Sequence, residues 1–127
     1  MNFQIAQTNM VKQQLRTGNV LNNKIGSSNI SDCISCDKPA CRFVEYIGET
    51  GARLKDRFSQ HLGYVRCAEH DKFPTGEHFN LPGHTENNMK VSVIEKCRIE
   101  SSNYRKTREA QFINLFDTKR NGLNKKL

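Results

Sequence analysis

A small α/β domain is the fold class this sequence predicts, with a mixed sheet of about three strands flanked by helices. Three observations lead there. Short runs rich in β-branched and aromatic residues occur at 30–35, 43–47 and 90–96. Two longer segments repeat their apolar residues at helical spacing. The order is β-β-α-β-α without internal repeat, and 127 residues suit one domain with a modest core.

Residues 1–28 are rich in Asn, Gln, Ser and Lys and are expected to be a flexible lead with a helical patch at 10–16. The domain proper is expected over 29–127. The strands at 30–35 and 43–47 are joined by Cys36-Asp37-Lys38-Pro39-Ala40-Cys41, whose Asp and Pro favour a turn. Residues 52–65 form the first helix, with Leu54, Phe58, Leu62 and Val65 as its apolar face. Two Pro and two Gly make 71–85 a loop with at most a short helix near 75–80. The third strand, 90–96, alternates around Val91, Val93 and Ile94. Ser102–Phe116 is the second long helix, with Tyr104, Phe112, Ile113, Leu115 and Phe116 apolar.

The net charge is +7 and unevenly placed: residues 101–127 carry seven Lys/Arg against Glu109 and Asp117. A basic end favours a polyanionic partner, although a solvated tail has the same composition. Arg53, Lys55, Arg105, Lys119, Arg120, Lys125 and Lys126 are the candidate nucleic-acid contacts. The first fifteen residues are polar and no apolar run approaches a membrane span, which excludes a membrane protein and predicts an intracellular location. In a reducing compartment the five cysteines are expected as thiols or metal ligands rather than disulfides.

The run from Glu45 to His61 places a phenol, Tyr46, at a strand end and puts Arg57 and His61 four residues apart on one side of the following helix. They border its apolar stripe and should overhang the sheet near Tyr46. Glu109 falls inside the apolar arc of the later helix, between Ile113 and Phe116. A carboxylate there needs a partner. Arg105, one turn earlier, offers an ordinary ion pair, and a hard cation such as Mg²⁺ offers a functional alternative. Phosphodiester cleavage needs an activated water, a cation against the phosphate charge and a metal at the leaving oxygen, which Tyr46, Arg57, His61 and Glu109 could supply.

A second constellation is a thiol pair and an imidazole pair. Cys36 and Cys41 have four residues between them, His78 and His84 have five, and 36 residues separate the pairs. Tetrahedral Zn²⁺ takes such a donor set, while two buried thiols and two surface histidines are the alternative. Cys33 competes as a ligand but falls within a strand and is expected in the core, and Cys67 and Cys97 are expected as core or free thiols.

The run Tyr46-Ile47-Gly48 through Arg57 to His61, the Arg108-Glu109 helix and the late Gly122-Leu123-Asn124 resemble, in order and spacing, a GIY-YIG nuclease domain over residues 30–124. The phrases YIGETGARLKDRFSQHL, PTGEHFNLPGH and MKVSVIEK are similar to the endonuclease domain of Penelope-like retroelements. The resemblance implies a metal-dependent DNA endonuclease that nicks target sites in the nucleus, with a reverse-transcriptase domain as partner in a fuller protein. It makes Tyr46 the water activator, Arg57 the phosphate contact, His61 an aid to proton transfer, Glu109 the ligand of a catalytic Mg²⁺ or Mn²⁺, and Asn124 a supporting residue. It also implies Zn²⁺ on Cys36, Cys41, His78 and His84. One departure stands out: Asp32 occupies the position of the first motif tyrosine, four residues before Cys36. It implies weakened activity, another role for Asp32 or another register. The rival readings are a catalytically impaired, zinc-stabilised nucleic-acid-binding module and a basic scaffold without ligand.

Overall fold

The computed structural model describes residues 26–42 and 44–124. Most of the lead, its patch at 10–16 included, lies outside the described residues, as do Lys125 and Lys126. Among the described residues the strands are β1 (Ile30–Cys36), β2 (Glu45–Thr50) and β3 (Met89–Lys96). The α-helices are α1 (Leu54–Arg66), α2 (Pro74–His78), α3 (Ser102–Phe116) and α4 (Thr118–Asn121).

The sheet order is β2-β1-β3, and both pairings are antiparallel, not mixed. The reason is the place of β1. It takes the centre, so β2 and β3 run the same way yet each touches only β1. The chain leaving β2 then crosses the sheet through α1 to reach β3. As the middle strand, β1 is buried along its whole length.

Alternation along β1 divides the core in two. Ile30, Ile34 and Cys36 face Leu54 and Val65 of α1, together with Phe79, Met89 and Val91. Cys33 faces the other way and packs with Ile47 and Phe116 beside Phe112, Ile113 and Leu115. Burying each large aliphatic side chain stabilises by ~1.5–3 kcal/mol, before the cost of ordering it. The expected apolar faces of both long helices are thus the ones that pack. On β3 an extra residue makes a bulge: Ser31 pairs with Glu95 but Asp32 pairs with Val93. That bulge lies directly across from Asp32.

β2 begins later and ends later than expected. Gly48 reads as a turn residue in isolation, but it pairs with Asp32 inside the ladder. α2 starts on Pro74, whose missing N–H suits a first helical position. α3 is capped by Ser101, whose hydroxyl accepts from the Tyr104 N–H at 3.3 Å. It ends at Asp117, whose φ of 56° breaks the helix and redirects the chain into α4.

Candidate functional site

β2 is an edge strand, and its free side is closed by the chain's late segment. The Asn124 side chain behaves there as a strand residue would. Its Oδ1 accepts from the Ile47 N–H at 2.8 Å, and its Nδ2 donates to the Ile47 carbonyl at 2.8 Å. Leu123 N–H donates to the Glu45 carbonyl at 2.8 Å, and Thr118 Oγ1 donates to Asn124 Oδ1 at 2.6 Å. Gly122 is required for this approach, since a Cβ would meet the Glu45 carbonyl oxygen at 2.5 Å. The Gly-Leu-Asn run is therefore an edge clasp.

Beside the clasp opens a groove of about 1160 Å³. Tyr46, Pro74, Glu109, Ile113 and Asn124 line it, with the exposed Lys119 and Arg120. Three of the five expected catalytic residues, Tyr46, Glu109 and Asn124, thus share one concavity although they come from β2, α3 and the clasp. Glu109 is half-buried and has no hydrogen bond or salt bridge among the described residues. Burial, and then the nearby Glu49, push its carboxyl above the usual range. Arg105 does not relieve it: its Nε donates to Glu49 at 2.8 Å and its Nη1 to Asn29 Oδ1 at 2.8 Å.

Arg57, on α1, is not among the residues that line this groove. Its Nε donates to Asp32 Oδ2 at 3.3 Å and its Nη1 to Gln60 Oε1 at 2.9 Å. Asp32 is fully buried, and its Oδ1 has no partner. Burial pushes the Asp32 carboxyl up, with Arg57 opposing. Burial also raises the Tyr46 hydroxyl, and again Arg57 opposes. Asp32, Tyr46, Arg57 and Glu109 all appear in one electrostatic neighbourhood.

His61 is 2% exposed, deeper than an overhanging residue would be. Its ring stands edge-on to Tyr46, centroids 5.6 Å apart, and its Nδ1 meets Thr75 Oγ1 at 2.8 Å. Nε2 is buried without a partner. Burial, and then the Arg57 charge, lower its pKa to about 3, so it is a neutral imidazole at ordinary pH.

The Cys/His set converges. The ligand atoms of Cys36, Cys41, His78 and His84 all lie within 4.8 Å of one another. Cys41 Sγ is 3.3 Å from His84 Nε2, and the His78 and His84 rings are 4.7 Å apart. His84 Nδ1 lies 3.2 Å from the Pro82 carbonyl, the kind of outer bond that aims Nε2 at a metal. His78 Nε2 is buried without a partner. Tetrahedral ligation needs donors about 3.3–3.8 Å apart, a contraction of about 1 Å from the widest spacing here. The cluster could hold a metal ion, and without one it buries two thiols and the His78 imidazole beside the partly buried His84. Burial lifts the Cys36 thiol to about 11 and lowers His78 to about 4. Cys33 is excluded by geometry, because three residues along a strand put it on the opposite face from Cys36. Cys97 is buried and Cys67 partly so, both as free thiols.

The expected basic contacts divide. Lys55 and Lys119 are exposed, and so are Arg53, paired with Asp56, and Arg120, paired with Asp117. Arg105 is held by Glu49 and is only 16% exposed in its side chain. Sequence reasoning missed Gln60, Gly48 and Thr75 as partners of Arg57 and His61; Gln60 lies one turn on along α1, while the strand register brings Gly48 and the fold of 71–85 brings Thr75. No described helix is long and apolar enough to cross a membrane. Comparison with protein families, with curated proteins and with solved structures finds no match for this chain.

Proposed function

We propose that this chain is a metal-dependent endonuclease domain of GIY-YIG type that hydrolyses phosphodiester bonds in DNA. One observation carries the reading: the half-buried, unpaired carboxylate of Glu109 shares a groove with the Tyr46 phenol, and Arg57 is close enough to influence both. A carboxylate so placed suits a hard divalent cation. Bound at Glu109, Mg²⁺ or Mn²⁺ would neutralise phosphate charge and stabilise the leaving oxygen.

The chain's own groups take the remaining roles. Tyr46 orients the attacking water through its hydroxyl. Arg57 offers its guanidinium to the scissile phosphate, where forked donors match the oxygens. The resemblance gives His61 a part in proton transfer; with burial lowering its pKa to about 3 it is a weak proton acceptor, and here it would serve by standing edge-on to the Tyr46 ring, centroids 5.6 Å apart. Asn124 holds β2, and hence Tyr46, at the groove. Lys119, Arg120 and the further pair Lys125 and Lys126 would meet the DNA backbone. A structural Zn²⁺ on Cys36, Cys41, His78 and His84 is part of the same proposal, because the donor set is two thiolates and two imidazoles. The resemblance adds target-site nicking in the nucleus, beside a reverse-transcriptase domain.

A second reading is a zinc-stabilised nucleic-acid-binding module that does not cut. It is favoured by Asp32, which stands at the first motif tyrosine and holds Arg57. Cleavage of supercoiled and nicked DNA with Mg²⁺ separates the two. On the nuclease reading wild type cuts, and Glu109→Gln abolishes cutting while leaving DNA affinity unchanged. Retained cutting in Glu109→Gln refutes the metal role, and an inert wild type that still binds DNA favours the second reading. Neutralising Lys119, Arg120, Lys125 and Lys126 should reduce the slope of log affinity against log salt by about 3–4. An unchanged slope places the DNA surface elsewhere.

A further inference from the structure

Asp32 is the residue that fits the nuclease reading least well, and its carboxylate is fully buried. It lies in the central strand, with a β3 bulge on one side and Gly48 of β2 on the other. A buried carboxylate needs a cation, and Asp32 has one in Arg57, reached across 25 residues of chain at 3.3 Å.

The geometry of that contact is one-sided. Asp32 Oδ2 takes the Nε edge of the guanidinium, and Gln60 takes Nη1 at 2.9 Å. The third nitrogen, Nη2, lies against Gly48 so closely that a Cβ there would force the guanidinium to shift. The same Cβ would meet Asp32 Oδ1 at 3.0 Å and the Tyr46 ring at 3.2 Å. Gly48 is thus a floor without a side chain, over which the guanidinium passes to reach Tyr46. Clamped at Nε and floored at Nη2, Arg57 has one orientation, and its side chain stays 13% exposed. A guanidinium carries more N–H donors than Asp32 and Gln60 use, so the clamp does not exhaust it.

We propose that Asp32, with Gly48, is a positioning residue for Arg57, fixing the guanidinium so that its remaining N–H groups meet a phosphate oxygen beside Tyr46. The inference rests on the nuclease reading for its catalytic consequence, but not for the clamp itself. It assigns Asp32 a role in place of a lesion: the carboxylate preorganises a phosphate contact from behind.

The test uses zinc-loaded protein and two kinds of readout. In cleavage assays with Mg²⁺, Asp32→Ala and Gly48→Ala should each lower kcat about 100-fold, the scale for a misplaced catalytic group, with KM changed less than about twofold. Asp32→Asn keeps an oxygen for Nε and should recover most of that loss. In an Arg57→Ala background, Asp32→Ala should cost nothing more, because its effect passes through Arg57. A purely structural Asp32 would lower stability but leave kcat per folded molecule unchanged, which overturns the proposal. So does Asp32→Tyr cutting faster than wild type. Where Asp32→Ala does not fold, Gly48→Ala and Asp32→Asn decide. The second readout is the Arg57 Nε–H resonance in nitrogen-labelled protein. In wild type it should exchange slowly with water and shift when a short DNA duplex is added without Mg²⁺. Both properties should be lost in Gly48→Ala. If wild type cuts no DNA, the cleavage reading fails, and this resonance still decides: a duplex-induced shift confined to the clamped protein upholds the positioning role, and no shift overturns it.

Discussion

Removing the Asn124 side chain should unlatch the edge of the sheet. Three buried groups depend on it: the Ile47 N–H, the Ile47 carbonyl and the Thr118 hydroxyl, at 2.8, 2.8 and 2.6 Å. Ile47 is fully buried and Thr118 is 1% exposed, so none has ready access to water in the intact fold. Each orphaned group costs ~1–3 kcal/mol. Some water will enter the space left by Asn124→Ala and recover part of this, which brings the expected loss to ~3–5 kcal/mol. For a domain whose whole stability is ~5–15 kcal/mol, that is a large share. Urea unfolding of zinc-loaded protein measures it directly, and the melting temperature should fall by roughly 10–20 °C. Asn124→Asp is the sharper variant. It keeps the acceptor for the Ile47 N–H but loses the donor and sets a carboxylate against the Ile47 carbonyl, so it should cost at least as much as Ala. Because Tyr46 precedes Ile47, both variants should also reduce any cleavage. A loss below about 1 kcal/mol in both would show that the amide does not pair with β2 in solution, and the clasp would have to be abandoned.

Two further outcomes are expected. Purified protein should contain one Zn²⁺ per chain by elemental analysis, and its removal with a chelator should lower thermal stability sharply, since binding energy at such a site is folding energy; unchanged melting of metal-free protein would rule out a structural metal. His61 should make stability fall with acid. Its folded pKa of about 3 lies below the ordinary 6.5, so the unfolded chain binds the extra proton between those values. Stability from this group is therefore complete above pH 6.5 and declines towards pH 3, by on the order of 5 kcal/mol over the window. The difference in urea midpoint between wild type and His61→Gln, followed across pH, isolates it; a difference independent of pH would refute the buried neutral ring.

The long elements could be read in the sequence because their signals are local. α3 was expected with the bounds the structure has, since its apolar residues keep helical spacing. Each of the pairs Cys36/Cys41 and His78/His84 was visible in the sequence, but spacing alone left two buried thiols and two surface histidines open; the resemblance favoured joining them, and the fold brings all four together. What could not be read depends on register. Nothing local says that Gly48 lies opposite Asp32, so a glycine within a ladder looked like the end of a strand. The antiparallel sheet follows from β1 taking the centre, a choice made by packing two helical layers on it. The partners of Arg57 and His61 were hidden for the same reason: Asp32 and Thr75 are distant in sequence and brought near by the sheet and by α2. The pairing of Glu109 with Arg105 was locally plausible, yet Glu49 and Asn29 hold Arg105 from β2 and the chain before β1.

The five residues of α2 have two masters. Pro74 forms part of the groove wall and Thr75 holds His61, while His78, one turn on, belongs to the Cys/His cluster. The interior of that turn is equally committed: Gly76 lies against the carbonyls of His70 and Tyr64 with no space for a side chain. A single inserted or deleted residue between Thr75 and His78 would swing one of the two ends about 100° around the helix. Either the Cys/His cluster or the histidine beside Tyr46 would lose its contact. Beyond the demands on Thr75, Gly76 and His78 themselves, the length of this turn could not drift without unmaking one of the two centres it connects.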